Sequence, residues 1–79
     1  MATVARTRWS WTKPYFGVQH LLGLHDRFQA TIEHHESFTS AWVLDRHSNH
    51  PFTPISEGDF PTVAKAQRWI EKRVRQLCD

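Results

Sequence analysis

PTVAKAQRWIEKRVRQLCD, residues 61–79, is the stretch on which the reading of the fold turns. Val63, Ala66, Ile70, Val74 and Leu77 recur at steps of three and four, which is the spacing of one face of an α-helix. Thr62 suits the N-cap, because its hydroxyl can accept a hydrogen bond from one of the unpaired amides of the first turn. Pro61 drives Phe60 into an extended conformation and separates the helix from what precedes it. Lys72, Arg73 and Arg75 lie where positive charge complements the negative end of the helix dipole. The spacing predicts a helix over 62–77, with Trp69 at the margin of its apolar stripe.

Working back from this helix, the period changes to two. Phe28, Ala30 and Ile32 alternate with Gln29, Thr31 and Glu33, and the alternation returns in Phe38, Ser40, Trp42 and Leu44. His35, Glu36 and Ser37 form a short polar connection between the runs. A hairpin with both apolar sets on one face pairs Phe28 with Leu44, Ala30 with Trp42 and His34 with Phe38, which puts Trp42 in the core. Asp45 to Pro51 reads as a turn and Phe52 to Ser56 as a short third strand, kept to a sheet edge by the donors missing at Pro51 and Pro54. Thr7 to Thr12 suggests a strand with Trp9 and Trp11 on one face. Tyr15 to Leu24 fits either a strand or a short helix. The expected fold is α+β: a three- to four-stranded antiparallel sheet with the carboxy-terminal helix packed on one face.

A chain of 79 residues, 39% hydrophobic and 23% charged, suits a single globular domain over 1–79 with a small core. No apolar run approaches the roughly 20 residues that cross a bilayer, and Met1 to Lys13 lacks the apolar stretch of a signal peptide. Cys78 alone forms no internal disulfide, in keeping with a cytoplasmic location. The formal charge of +2 conceals a segregation. Residues 1–25 carry Arg6, Arg8 and Lys13 and no acid. Residues 26–59 set Arg27 and Arg46 against Asp26, Glu33, Glu36, Asp45, Glu57 and Asp59. Residues 60–79 set Lys65, Arg68, Lys72, Arg73 and Arg75 against Glu71 and Asp79. At about 100° per residue, Lys65, Arg68, Lys72 and Arg75 fall opposite the apolar stripe as a basic ridge, a surface suited to phosphates or an acidic protein patch.

Six histidines invite a metal reading, but none has a diagnostic ligand spacing and no paired cysteine accompanies them. The expectation is no metal and no cofactor. Nothing in the sequence matches a catalytic signature, and a domain of this size has little volume for a pocket, so no enzymatic role is expected. Trp9 and Trp11, flanked by Arg6, Arg8 and Lys13, read either as a packed strand or as an exposed aromatic and cationic binding patch.

Gly58, Phe60, Thr62 and Ala66 form the pattern Gly-x-Phe-x-Thr-x-x-x-Ala, with the glycine turning the chain, the phenylalanine anchoring the sheet, the threonine capping and the alanine admitting the helix. This resembles the strand-to-helix junction of small three-stranded-sheet-plus-helix modules, the DNA-binding domains of plant AP2 factors and the amino-terminal arms of phage-type integrases. Those modules read DNA with cationic strands, whereas the hairpin here is acidic. In size and character the whole chain is similar to the anti-CRISPR proteins of phages and mobile elements. That resemblance implies a non-enzymatic inhibitor docking on a CRISPR effector complex, a ribonucleoprotein, and blocking target DNA binding or nuclease recruitment. The alternative is direct nucleic-acid binding by the ridge and the amino-terminal segment. Either suits a monomer or a homodimer with no membrane partner.

Overall fold

The computed structural model describes residues 9–24 and 26–78. These form five strands, β1 (Ser10–Trp11), β2 (Val18–Leu22), β3 (Phe28–His34), β4 (Thr39–Asp45) and β5 (Ser56–Phe60), followed by one helix, α1 (Val63–Cys78). Each strand pairs antiparallel with the next, in the order β1-β2-β3-β4-β5, and α1 packs across one face. The α+β architecture is the expected one. The sheet has more strands than expected because the amino-terminal third supplies two: β1, beginning at Ser10, and β2, which settles 18–22 as strand. The part of the Thr7 to Thr12 strand before Trp9 lies outside the described residues.

The helix begins as its sequence dictates. Thr62 Oγ1 accepts the Lys65 amide at 3.2 Å, satisfying one of the orphan donors of the first turn. Ala66, Ile70 and Val74 are fully buried, and Val63, Trp69 and Leu77 pack against them from the margins. Opposite them the sheet presents Leu21, Phe28, Ala30, Ile32, Ala41 and Val43. Several of these residues are small, and Ala41 faces Gly58 across the β4–β5 ladder, so the helix can approach closely. Gly58 lies within β5 rather than turning the chain as expected. A Cβ there would meet the Phe60 ring at 3.3 Å, so the absent side chain is what lets that ring lie back along the strand and reach Trp69, 5.2 Å between centroids.

The hairpin register differs from expectation by one residue. Phe28 pairs with Asp45, Ala30 with Val43, Ile32 with Ala41 and His34 with Thr39. The His35 amide donates to the Phe38 carbonyl at 2.8 Å, so the turn is the two residues Glu36 and Ser37, not three. With a side-chain period of two, this single step moves all of β4 to the other face. Ala41 and Val43 enter the core, and Trp42 and Leu44 face away from the helix, half-buried. Phe38, also expected in the core, is 39% exposed and stacks on His35 at 4.4 Å. The third strand lies at 56–60 rather than 52–56, in the proline-free run between Pro54 and Pro61. Residues 52–55 are turn and bend, where Thr53 donates to the His50 carbonyl.

Two further devices hold the sheet. The β1–β2 connection, residues 12–17, ends in a two-residue turn with positive φ at both Phe16 (49°) and Gly17 (76°), closed by reciprocal backbone hydrogen bonds of 3.0 Å between Tyr15 and Val18; this is the type I′ geometry that matches strand twist. At the opposite end Arg27 grips Asp45 with two parallel hydrogen bonds, Nε to Oδ1 at 3.0 Å and Nη2 to Oδ2 at 2.9 Å. Asp45 also accepts the His47 amide at 3.0 Å. Hydrogen bonding from Arg27, opposed by burial and aided by the His47 amide, holds the Asp45 carboxyl below its ordinary pKa and raises that of Arg27.

Candidate functional site

An amphipathic helix seated on a sheet must turn its polar face outward, and in α1 that face is basic. Lys65, Arg68, Lys72 and Arg75 are all exposed. None has a carboxylate within ion-pair distance among the described residues. They follow one another at steps of three and four, so at 1.5 Å rise per residue the ridge runs for about 15 Å. Arg73 turns to the side instead, its Nε donating to Ser56 Oγ on β5 at 2.7 Å and its Nη1 to Gln76 at 3.3 Å. Glu71, the acid of the helix, is engaged by the Trp11 indole N–H at 3.2 Å. The ridge is therefore not neutralised from within its own element.

The ridge meets the described part of the predicted amino-terminal patch at Trp9. The Arg75 guanidinium lies 5.4 Å from the centroid of the Trp9 ring, a cation–π distance. Trp9, just before β1, and Trp11 within it both pack against the core, so they are half-buried supports of the ridge and not free aromatic anchors. Lys13 is exposed beyond them, towards the β1–β2 turn. Arg6 and Arg8 lie outside the described residues.

The sheet face remote from the helix is uncovered by any described residue. By strand alternation it carries Val18, His20 and Leu22 from β2, Gln29, Thr31 and Glu33 from β3, Ser40, Trp42 and Leu44 from β4, and Glu57 and Asp59 from β5, with Arg46 donating to Gln29 at 3.3 Å at the end away from the acids. Trp42 lies between Thr31 and Glu57 across the ladders. A shallow groove runs beside it, lined by Glu33, Ser40, Trp42, Glu57 and Asp59 over the backbone of Ala41 and Gly58. Ser40 donates to Asp59 at 3.0 Å, and His35 Nε2 lies 3.1 Å from Ser40 Oγ and 3.2 Å from Glu33. With the Ser40 proton given to Asp59, His35 Nε2 is the donor to Ser40. Glu57 has no hydrogen bond or ion pair among the described residues. The two sides of the molecule thus differ in sign, basic over the helix and acidic over the far end of the sheet.

Sequence reasoning missed this second surface, because the shifted register had placed Trp42 and Leu44 under the helix. The signal that could have found it is the acid pair Glu57 and Asp59 flanking Gly58, two residues that alternation assigns to one face. The remaining polar side chains build structure. His34 Nε2 bonds Gln19 at 2.9 Å while Gln19 donates to the Thr12 carbonyl at 2.7 Å, and His20 Nδ1 bonds Thr31 at 3.0 Å. Among the described residues no group of three His, Cys, Asp or Glu side chains converges as a metal site would require. No described helix is long and apolar enough to cross a membrane. Comparison of the chain with protein-family models, curated proteins and solved structures gives no match.

Proposed function

We propose that this is a non-enzymatic binding protein whose outward helix face docks on an anionic macromolecular surface. One observation carries the reading: four cations stand in line on the exposed side of α1, unpaired by carboxylates among the described residues, while acidic side chains gather on the opposite side of the molecule. Segregated charge of this kind steers encounter and sets the orientation of docking. The partner class we favour is a ribonucleoprotein of the CRISPR effector type, with the protein acting as a stoichiometric inhibitor that blocks target DNA binding or nuclease recruitment.

The ridge would take phosphates as readily as carboxylates, so direct nucleic-acid binding is the competing reading, favoured by the continuity of the ridge with Arg75 and Trp9. The acidic groove argues that the sheet is not the surface laid on nucleic acid, because like charge repels there. The test uses labelled duplex and single-stranded oligonucleotides and purified effector complexes, at about 50 and about 200 mM salt. Inhibition of effector binding to its target, lost when Lys65, Arg68 and Lys72 are changed to Glu, supports the inhibitor. Tight, steeply salt-dependent binding to bare oligonucleotide supports the competitor. Binding to every partner that ignores the three substitutions overturns both.

A further inference from the structure

We propose that the uncovered sheet face is a docking site for the basic ridge of a second copy of this chain, so that the protein associates head to tail at low salt. The inference rests on the ridge being a docking surface, and it adds a second occupant for it.

The sheet face is not simply a solvated surface. Besides its acids it carries Val18, Leu22, Trp42 and Leu44, with Leu22 51% exposed. An antiparallel sheet can leave one face to water, but that face is then predominantly polar. Here apolar area is joined to negative charge, and the occupant such a surface suits presents long aliphatic stems ending in cations. Lysine and arginine on one helix face do so, laying methylenes along apolar surface while the charged ends reach past it. A guanidinium over Trp42 would add a cation–π contact.

One charge spacing agrees. Glu57 and Asp59, two residues apart on β5, are separated by about 6.6 Å along the strand. On the ridge Arg68 and Lys72 differ by about 6 Å in rise. Two cations of one helix can thus stand over the two β5 acids without either partner changing shape, while Glu33, across β4 from Asp59, lies about 9.6 Å to the side of that line.

The two surfaces lie on opposite sides of one molecule, so a copy cannot satisfy itself. The contact is heterologous, leaves a ridge free at one end and a sheet face free at the other, and adds further copies unless the ring closes. It also covers the ridge, placing self-association in competition with any anionic partner.

Sedimentation velocity over a range of protein concentrations, at about 50 and about 500 mM NaCl, tests this. The expected result is concentration-dependent association at low salt whose apparent dissociation constant weakens at least tenfold at high salt. Two neutralised variants sharpen it: one with Lys65→Gln, Arg68→Gln and Lys72→Gln, the other with Glu57→Gln and Asp59→Asn. Each alone should remain monomeric, and an equimolar mixture should form a one-to-one pair that grows no further, since only one working contact remains. A wild type that is monomeric at every low-salt concentration overturns the proposal, as does a variant that associates unaided or a mixture that stays monomeric. The wild-type series decides the matter even should a variant fail to fold. Loss of association with retained, ridge-dependent binding of an anionic partner sinks this inference alone and leaves the proposed function standing.

Discussion

Phe16 occupies a backbone position that its side chain disfavours. A bulky residue at φ 49° sits where asparagine or glycine is usual in a type I′ turn, at a cost of about 1–3 kcal/mol. Its ring is 88% exposed, touching Tyr15 edge-on at 4.6 Å, so little burial compensates. Phe16→Asn should therefore stabilise the fold by about 1 kcal/mol, measured by urea denaturation. Asp45 makes a prediction of opposite sign. Its depressed pKa means that its contribution is present above the unfolded carboxyl range near ~3.9 and is lost as pH falls through the lower folded value. Asp45→Asn should be less stable than wild type at neutral pH, with the difference shrinking in acid; a constant gap from pH ~6 to pH ~2 would contradict the assignment. At this scale the sequence was legible where a residue's chemistry acts on its immediate neighbours, as with Thr62. It was illegible at Gly58, whose reason is the position of a ring two residues away.

The helix is the element most of the core depends on. Ile70 is fully buried against the sheet, so Ile70→Ala should cost about 2–5 kcal/mol, and Ile70→Asp should abolish the cooperative thermal transition seen by circular dichroism. Loss of the cap in Thr62→Ala should cost about 1 kcal/mol. The helix could be read from its periodicity because an apolar stripe over sixteen residues leaves no competing pattern. The β3–β4 hairpin could not be fixed in the same way. Both parities of β4 offer apolar side chains, Ala41 and Val43 on one, Trp42 and Leu44 on the other, and the bulkier set is the natural choice for a core. The helix decides otherwise, because its close approach over Ala30 and Ala41 leaves no volume beneath it for an indole. A preference that depends on another element's distance is absent from the strand's own sequence.

For the whole molecule, the outward basic ridge was legible from helical angle alone, since burial of one stripe fixes the direction of the other. The acidic face was not, because it exists only once β3, β4 and β5 are assembled in their true register. Neutralising Lys65, Arg68 and Lys72 should lower the salt dependence of anion binding by up to about three contacts' worth, while leaving the melting temperature within a few degrees. Measured slopes of log affinity against log salt test this directly. The order β1-β2-β3-β4-β5 also bears on how the chain finds its structure. Every rung of the sheet joins sequence neighbours, so each pairing closes a short loop and confines few degrees of freedom before it is rewarded. Only the roof demands a long-distance meeting, when Ile70 and Val74 settle over strands laid down some forty residues earlier. Refolding should therefore be quick, and its slowest step should be the docking of the helix on a preassembled meander, detectable after stopped-flow dilution from urea as a late change in tryptophan fluorescence that Trp69→Phe removes.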